Sequence, residues 1–476
     1  MALTRISLSL LLFSVIPTAY SYWVFGGAVP LVTTRLDSIV SPGEVSSHVH
    51  TVLGGSRFGA NYDFNDLTRS ECSTILVQSD KSNYWAPQLY YLDQAAGTYT
   101  PIPTFFNIYY LPRPGPKNEQ IHAFPNGLRM LAGDVLRRVN NATNYADKAI
   151  SYYCLDERAD FFEHQCPNAM RAQIFFPSCW DGVNLDSPDH KSHMAYPLQD
   201  YNTGDCPDTH PVHLISLFYE MIVRVDLFPY VPGSWVYSFG DTTGLGLHAD
   251  FQDGWEDKSL LQNAIDQCVE VNGDVTGTLA YPSQSNPTLR SQQNNSLKLM
   301  IVRHILACAP LNAAINNAAA AACKPEMSIP NENVGFTSAL TKLPGCNLLW
   351  SGTGPKPVCD PNPPTPSFAP TRSTLPSGWT ELGCIVEGTT GRAFTSASTT
   401  DPAMTKTLCA NYCGNLNFPF AGVEYGDECY CGSEFSNGAV NQTVPWSDCS
   451  VTCAGNPNEN CGGPNRLSFL YNPTKH

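Results

Sequence analysis

Charge is scarce in this chain of 476 residues: Lys, Arg, Asp and Glu together make up 14%. Basic residues are the scarcer kind, 27 against 42 acidic ones, for a formal net charge of −15. Without a basic surplus the chain lacks the face that phosphate backbones and anionic lipids require, which excludes nucleic acid and membrane surfaces as main partners. Beyond the first two dozen residues no apolar run is long enough to span a bilayer, and the end, Pro473-Thr-Lys-His, lacks the hydrophobic tail of a lipid-anchor signal, so no membrane anchor is expected. No Gly-x-Ser-x-Gly elbow occurs, so the usual serine-hydrolase signal is missing, and Gly54-Gly55-Ser56 reads as a tight turn. No internal repeat is present.

Other residues are plentiful. There are 38 Pro, 35 Gly, 22 Tyr and 22 Phe, a loop-rich and strand-favouring composition, and 42% hydrophobic residues supply a core. The 18 cysteines are an even number, as a paired extracellular framework requires. Residues 1–21 read as a secretory signal: Arg5 gives the basic start and Ile6 to Ile16 the apolar core. Pro17 ends that run too early for a transmembrane helix, and Ala19 and Ser21 are the small residues before a cleavage that leaves Tyr22 first. Asn141, Asn294 and Asn441 open N-glycan acceptor triplets. A secreted, extracellular glycoprotein is expected.

The segment 352–377 carries eight prolines among Ser and Thr, cannot build a core, and predicts an extended linker. It divides the chain into a large domain, 22–351, and a small one, 378–472, with Cys359 placed to tie down the linker's start. Strand-like runs in the large domain are Ser73 to Gln78, Phe105 to Tyr110, Arg171 to Phe176 and Glu220 to Asp226. Helical periodicity covers Asp257 to Glu270 and Leu297 to Cys308. The expected fold is mostly β: a sandwich or jelly roll with late helices, followed by a small disulfide-rich α+β domain. That small domain holds eight cysteines and should be stapled more than packed. Pro402 opens a helical stretch with Cys409 and Cys413 one turn apart, while Cys429 and Cys431, two apart, suit a strand. An oxidising compartment disfavours a zinc site there.

Here the residues carry a resemblance. GWTELGCIVEG, MTKTLCANYCG, FAGVEYGDECYCG and CSVTCAGNPNENCGG followed by NRLSFLY resemble a WSC domain, with all eight cysteines in register. Such domains occur in fungal cell-surface sensors and secreted fungal enzymes. The resemblance implies non-catalytic binding of a cell-wall polysaccharide, glucan-like in kind. Sugar rings stack on aromatics and are fixed by a few amides and charges, so Glu424, Tyr425, Tyr430, Asn465 and Arg466 are candidate contacts. The alternative is that both tyrosines pack on the disulfides.

The large domain resembles a fungal secreted domain of unknown function numbered nineteen ninety-six, through TTRLDSIVSPGEVSSHVHTVLGGSRFG, YWAPQLYY, IFFPSCWDGVNLDSPDHKSHMAYP, CPDTHPVHLISLFYE and HADFQDGW. That resemblance brings no chemistry, so the residues must supply it. Histidines fall in pairs: His48 with His50, His190 with His193, His210 with His213, and His248 beside Asp250. A spacing of two puts side chains on one face of a strand and a spacing of three on one helical turn, so each pair can offer ligands or an acid/base couple to one cleft. Asp181, Asp186 and Asp189 lie in turn sequences. Asp181, Asp186, His190 and His193 are the acid/base candidates. His48, His50, His210, His213, His248, Asp250 and Trp180 are candidate substrate contacts. His48, His50, His248 or Asp250 could instead hold a divalent metal, the one cofactor the sequence leaves open. Trp85, Trp235 and Trp255 could line a groove or be core.

Copper polysaccharide monooxygenases are excluded, because cleavage before Tyr22 leaves no N-terminal histidine. A cysteine nucleophile is excluded by pairing. The resulting expectation is a carbohydrate-active protein whose large domain cleaves or modifies a wall polysaccharide, as a glycoside hydrolase or polysaccharide lyase. The alternative is a non-catalytic, lectin-like or effector-like wall-binding protein, with these Asp and His side chains serving as hydrogen-bonding groups of a loop-rich fold.

Overall fold

The computed structural model describes residues 21–155, 162–275, 308–352, 354–357, 359, 365–366, 375–444, 448–449 and 451–475. The signal segment, the Leu297–Cys308 periodicity up to Cys308 itself, the Asn294 triplet and most of the proline-rich stretch lie outside the described residues. The fold is mostly β, 32% strand against 11% helix, as the composition predicts.

Two sheets share the main core. A six-stranded sheet runs, in spatial order, Asn272–Asp274, Tyr22–Ala28, Thr104–Leu111, Ser216–Val223, Met170–Phe175, Ile150–Cys154. A five-stranded sheet runs Val32–Thr34, His50–Gly54, Asn83–Pro87, His248–Gln252, Arg129–Gly133. Trp23, Phe25, Phe106, Ile108 and Tyr219 from the first pack against Leu53, Tyr84, Ala86, Ala249 and Phe251 from the second. Tyr84 and Tyr110 join their hydroxyls across this core at 2.7 Å, and the Tyr219 hydroxyl donates to the Asp250 carbonyl at 2.8 Å. These buried hydroxyls are thus paired where the sheets meet. Trp85, Trp235 and Trp255 are wholly buried and belong to the packing.

Three predicted strands form, at Thr104–Leu111, Met170–Phe175 and Ser216–Val223. Ser73 to Gln78 does not become a strand. Ser73 and Val77 make only single bridges, to Gly55 and Ile315. The Gln78 side chain folds back, donating to the carbonyls of Ser73 and Ile75 at 3.0 and 2.8 Å and accepting from the Ser73 amide. The run is apolar because it is buried, and its backbone is met by scattered partners, the Gln78 side chain together with Gly54, Ala314 and Asn316, without forming a ladder. The helix Lys258–Gln267 forms as predicted, capped by Asp257 and burying Leu261, Ala264 and Ile265.

All eighteen cysteines pair. Five bridges join residues within 72–359, Cys346–Cys359 among them, and four join residues within 384–461. In the C-terminal part the helix Lys406–Asn415, capped by Thr405 after the turn at Pro402, presents Cys409 and Cys413 on one face. They bridge to Cys429 and Cys431, alternate residues of the strand Glu428–Gly432. A spacing of four on a helix meets a spacing of two on a strand, so two parallel bridges staple helix to sheet. Among the described residues no helix is long and apolar enough to cross a membrane, and nine disulfides fit an oxidising, extracellular setting.

Candidate functional site

Three strands of the five-stranded sheet, His50–Gly54, Asn83–Pro87 and His248–Gln252, are buried on both faces. Alternation sends Leu53, Tyr84, Ala86, Ala249 and Phe251 into the main core. The opposite face carries Val52 and Trp85, packed under Leu36, Ile39, Phe58 and Tyr62 from the segment before and after His50. On that second face the sheet also places His50, His248 and Asp250. His50 pairs with Pro87, and Asp250 with Trp85, so the two polar strands flank a central strand whose proline leaves room between the imidazoles. His48, two residues ahead of His50, adds a third ring. Asp37 reaches the same point from the turn after Val32–Thr34, its Oδ1 accepting from the Ile39 and Val40 amides at 3.0 Å each.

The rings are close. His48 and His248 face each other Nε2 to Nε2 at 3.0 Å, and the His48 and His50 centroids lie 4.3 Å apart. Each imidazole is anchored through Nδ1: His50 to the Leu36 carbonyl, His248 to the Gly246 carbonyl and His48 to the Ser47 hydroxyl, all at 3.0 Å. One ring nitrogen from each of the three lies within 4.8 Å of the others, and Asp37, His50 and Asp250 meet the same limit. His50 and Asp250 are 0% exposed, Asp37 3%, His248 4% and His48 6%, so water does not solvate the group.

Burial therefore governs its electrostatics. It pushes His50 down to about 3, partly opposed by the Leu36 carbonyl. Burial, reinforced by the His50 ring, lowers His248 to about 4. His48 falls well below the usual histidine range through burial and then through His50 and His248. Asp37 is raised by burial against the pull of the Val40 and Ile39 amides. Asp250 is raised well above the carboxylate range by burial and by Asp37. In all five, burial shifts the balance toward the neutral form. Buried imidazole and carboxyl groups shifted in this way are acid/base material, and the same five could hold a metal ion.

A half-buried rim borders the cluster. Asp186 accepts from His190 at 2.8 Å and lies 3.7 Å from Arg129, the first residue of the neighbouring strand Arg129–Gly133. Lys191 donates to the Gly133 carbonyl at 2.6 Å. Gly133 has φ +80°, and a Cβ there would meet the Leu247 carbonyl at 2.3 Å, so only glycine lets this strand and loop close over His248. His190 and Lys191 are near enough to act electrostatically on Asp37 and Asp250 respectively.

The remaining sequence candidates sit apart from the five. Desolvation pushes the Asp181 carboxyl up, but the Asn184 side chain with the Val183 and Asn184 amides, which donate at 2.8 and 2.9 Å, outweighs it and holds the carboxyl below the ordinary value. His193 bridges Ser187 and the Arg129 carbonyl at 2.8 and 2.7 Å. His210 contacts the Ser192 carbonyl at 3.0 Å, and His213 contacts Glu119 at 3.1 Å. Trp180 donates to the Asn184 carbonyl at 2.6 Å. Sequence reasoning missed Asp37, which no spacing ties to the histidines.

In the C-terminal part, Glu424, Tyr425, Asn465 and Arg466 gather at one end of a six-stranded sheet, beside Gly462, where a Cβ would meet the Arg466 carbonyl at 2.4 Å and the Glu424 Cα at 2.8 Å. Tyr425 and Asn465 stand exposed at φ +49° and +55°. Arg466 pairs with Asp448 at 2.8 Å. Arg392 lies over the Tyr430 ring at 4.5 Å, among Glu387, buried Glu424 and Glu428.

Residues 37–255 match the family described as Domain of unknown function (DUF1996), and residues 381–463 match the WSC domain. The chain is 37% identical over 97 residues to a WSC domain-containing protein of Arthroderma benhamiae. It is 38% identical over 88 residues to Kremen protein 2 of Mus musculus, and 36% over 99 residues to xylosyltransferase oxt of Drosophila melanogaster. These stretches cover 20%, 18% and 19% of this chain but only 10%, 19% and 11% of the relatives, so the likeness is that of one module within larger proteins.

Proposed function

We propose that this chain is a secreted, fungal carbohydrate-active protein whose residues 22–351 cleave a glucan-like cell-wall polysaccharide, while the WSC module at 378–472 holds the protein on that polymer across the linker 352–377. The observation that carries this reading is the convergence of Asp37, His48, His50, His248 and Asp250, from three separate stretches of chain, into one buried group with bare acid/base atoms. Cores do not collect such groups without cost, and active sites do. Hydrolysis adds water across a glycosidic C–O bond: one group gives a proton to the leaving oxygen and another takes one from the water. Asp186, His190 and Arg129, half-exposed at the rim, would be first to meet a sugar. Asp181, His193, His210 and His213 then serve to shape the loops around them. Exposed Tyr425 and Asn465, with Arg466, form the polymer-binding end of the WSC module, and the tether raises effective concentration at an insoluble surface.

Burial of the cluster supports a second reading, a two-headed wall-binding protein without catalysis. Product release decides between them. The secreted protein is incubated with insoluble fungal and plant polysaccharides beside Asp250→Asn and His50→Gln. Soluble oligosaccharides made by the unaltered protein and not by the variants support cleavage at the cluster. Binding to the polymers with no product from any of them supports the second reading.

A further inference from the structure

The cluster leaves buried acceptor atoms without a donor. The His50 Nδ1 hydrogen is committed to the Leu36 carbonyl, so its Nε2 carries only a lone pair, and that atom is buried with no partner. The His248 Nδ1 hydrogen is likewise committed to the Gly246 carbonyl, so its Nε2 is a lone pair as well; without an ion it accepts from the His48 Nε2 hydrogen at 3.0 Å, while the Ser47 hydroxyl donates to the His48 Nδ1. Both carboxyl oxygens of Asp250 are buried and unpartnered. Among the described residues the nearby cations make their direct contacts elsewhere: the Lys191 ammonium is on the Gly133 carbonyl, Arg129 is on Asp186 and the Tyr62 carbonyl, Arg35 is on Glu332, and Lys356 is on the Asn347 side chain. One water has two hydrogens to donate and would leave one of these three unpartnered acceptors bare. A positive ion would satisfy them together.

We infer that His48, His50 and His248 hold a divalent transition-metal ion through their Nε2 atoms, with Asp37 and Asp250 supplying carboxylate oxygen beside it. The spacing suits such an ion, because nitrogens bound at 2.0–2.1 Å in a tetrahedral site sit about 3.3 Å apart. So does the outer layer, in which each ligating ring is fixed through its other nitrogen by a carbonyl or hydroxyl. Three imidazoles favour zinc, copper or nickel over calcium and magnesium, which prefer all-oxygen sites. The Cys409, Cys413 and Cys429 group is no competitor, since those sulfurs are in disulfides. The inference deepens the cleavage reading by giving its site an ion, but the two can fail separately.

The test uses the full, untagged secreted chain, dialysed against a chelator and titrated with Zn2+, Cu2+, Ni2+, Mn2+ and Ca2+. Bound metal per chain and the thermal midpoint are measured. The expected result is saturable uptake of roughly one Zn2+ or Cu2+ per chain with a rise in midpoint, absent in His50→Gln and His248→Gln. Ser47→Ala, which removes only the outer hydroxyl behind His48, should still bind, roughly 10–100-fold more weakly. If the histidine variants do not fold, Ser47→Ala decides alone. No uptake by the unaltered chain, preference for Ca2+, or unchanged affinity in the variants overturns the inference. Uptake without sugar release from any polymer leaves the ion and removes the cleavage reading. Sugar release by a chain that takes up no ion does the reverse.

Discussion

The chain places the same residue types in two opposite settings. In the loop 181–193 the carboxylates are exposed or half-exposed and saturated with donors: Asp181 takes three, and Asp189 takes the Ser187 hydroxyl and the Lys191 amide together with the Ser192 amide and hydroxyl. In the cluster at Asp37, His50 and Asp250 the groups are buried, and Asp250 takes none. The first arrangement stabilises a turn. The second costs stability unless something outside the chain completes it. Density of Asp and His is therefore a poor guide to a site, and the count of unsatisfied buried atoms is a better one.

Activity offers the sharpest way to break this comparison. Asp250→Asn should lower product release by about 100-fold or more, the usual scale for losing an acid/base group. Asp181→Asn should leave it within about threefold, since only a loop cap is altered. Initial rates on the responsive polymer check both, and equal losses would erase the distinction between the two settings.

Stability against pH offers the next. Asp80 is a buried carboxyl that does have partners, the Tyr84 and Tyr110 hydroxyls and the Ser82 amide, and burial still raises it to about 6. Its folded value lies above its unfolded one, so the unfolded chain ionises first. Stability should fall as pH rises from about 4 to 6, by about 3 kcal/mol for this group alone. Asp80→Asn should flatten that limb in urea melts taken across the range. Asp189 runs the other way. Its Ser192 and Ser187 contacts hold it well below the carboxylate range, so its contribution is present above pH 4 and is lost as pH falls further.

Much of this was legible before any fold was known. The alternation in His48-Val-His50 and His248-Ala-Asp250 puts each pair on one strand face, and the structure keeps both pairs together. The staple of Cys409 and Cys413 onto Cys429 and Cys431 follows from two periodicities. What the sequence could not carry was long-range register: only the pairing of Asn83–Pro87 with both neighbours sets His50 beside His248. Asp37 enters through a turn whose own hydrogen bonds explain an Asp there, so it gives no sign of a second role. Ser73 to Gln78 misleads for a related reason, because burial makes it apolar while isolated bonds to a side chain and to three separate residues, not a continuous ladder, satisfy its backbone.

The smallest expected effect tests the structural side of the comparison. Asp189→Ala removes an acceptor from the turn that carries His190 and Lys191 and should cost about 1 kcal/mol, the scale of a lost cap, read as a shift in the denaturation midpoint. Metal uptake and product release should stay close to those of the unaltered chain, because Lys191 is also held by Gly133 and His190 by Asp186. A large loss of either, with the fold intact, would mean that the loop sets the geometry of the cluster from outside. The two settings would then be one site, with the exposed carboxylates positioning the buried ones.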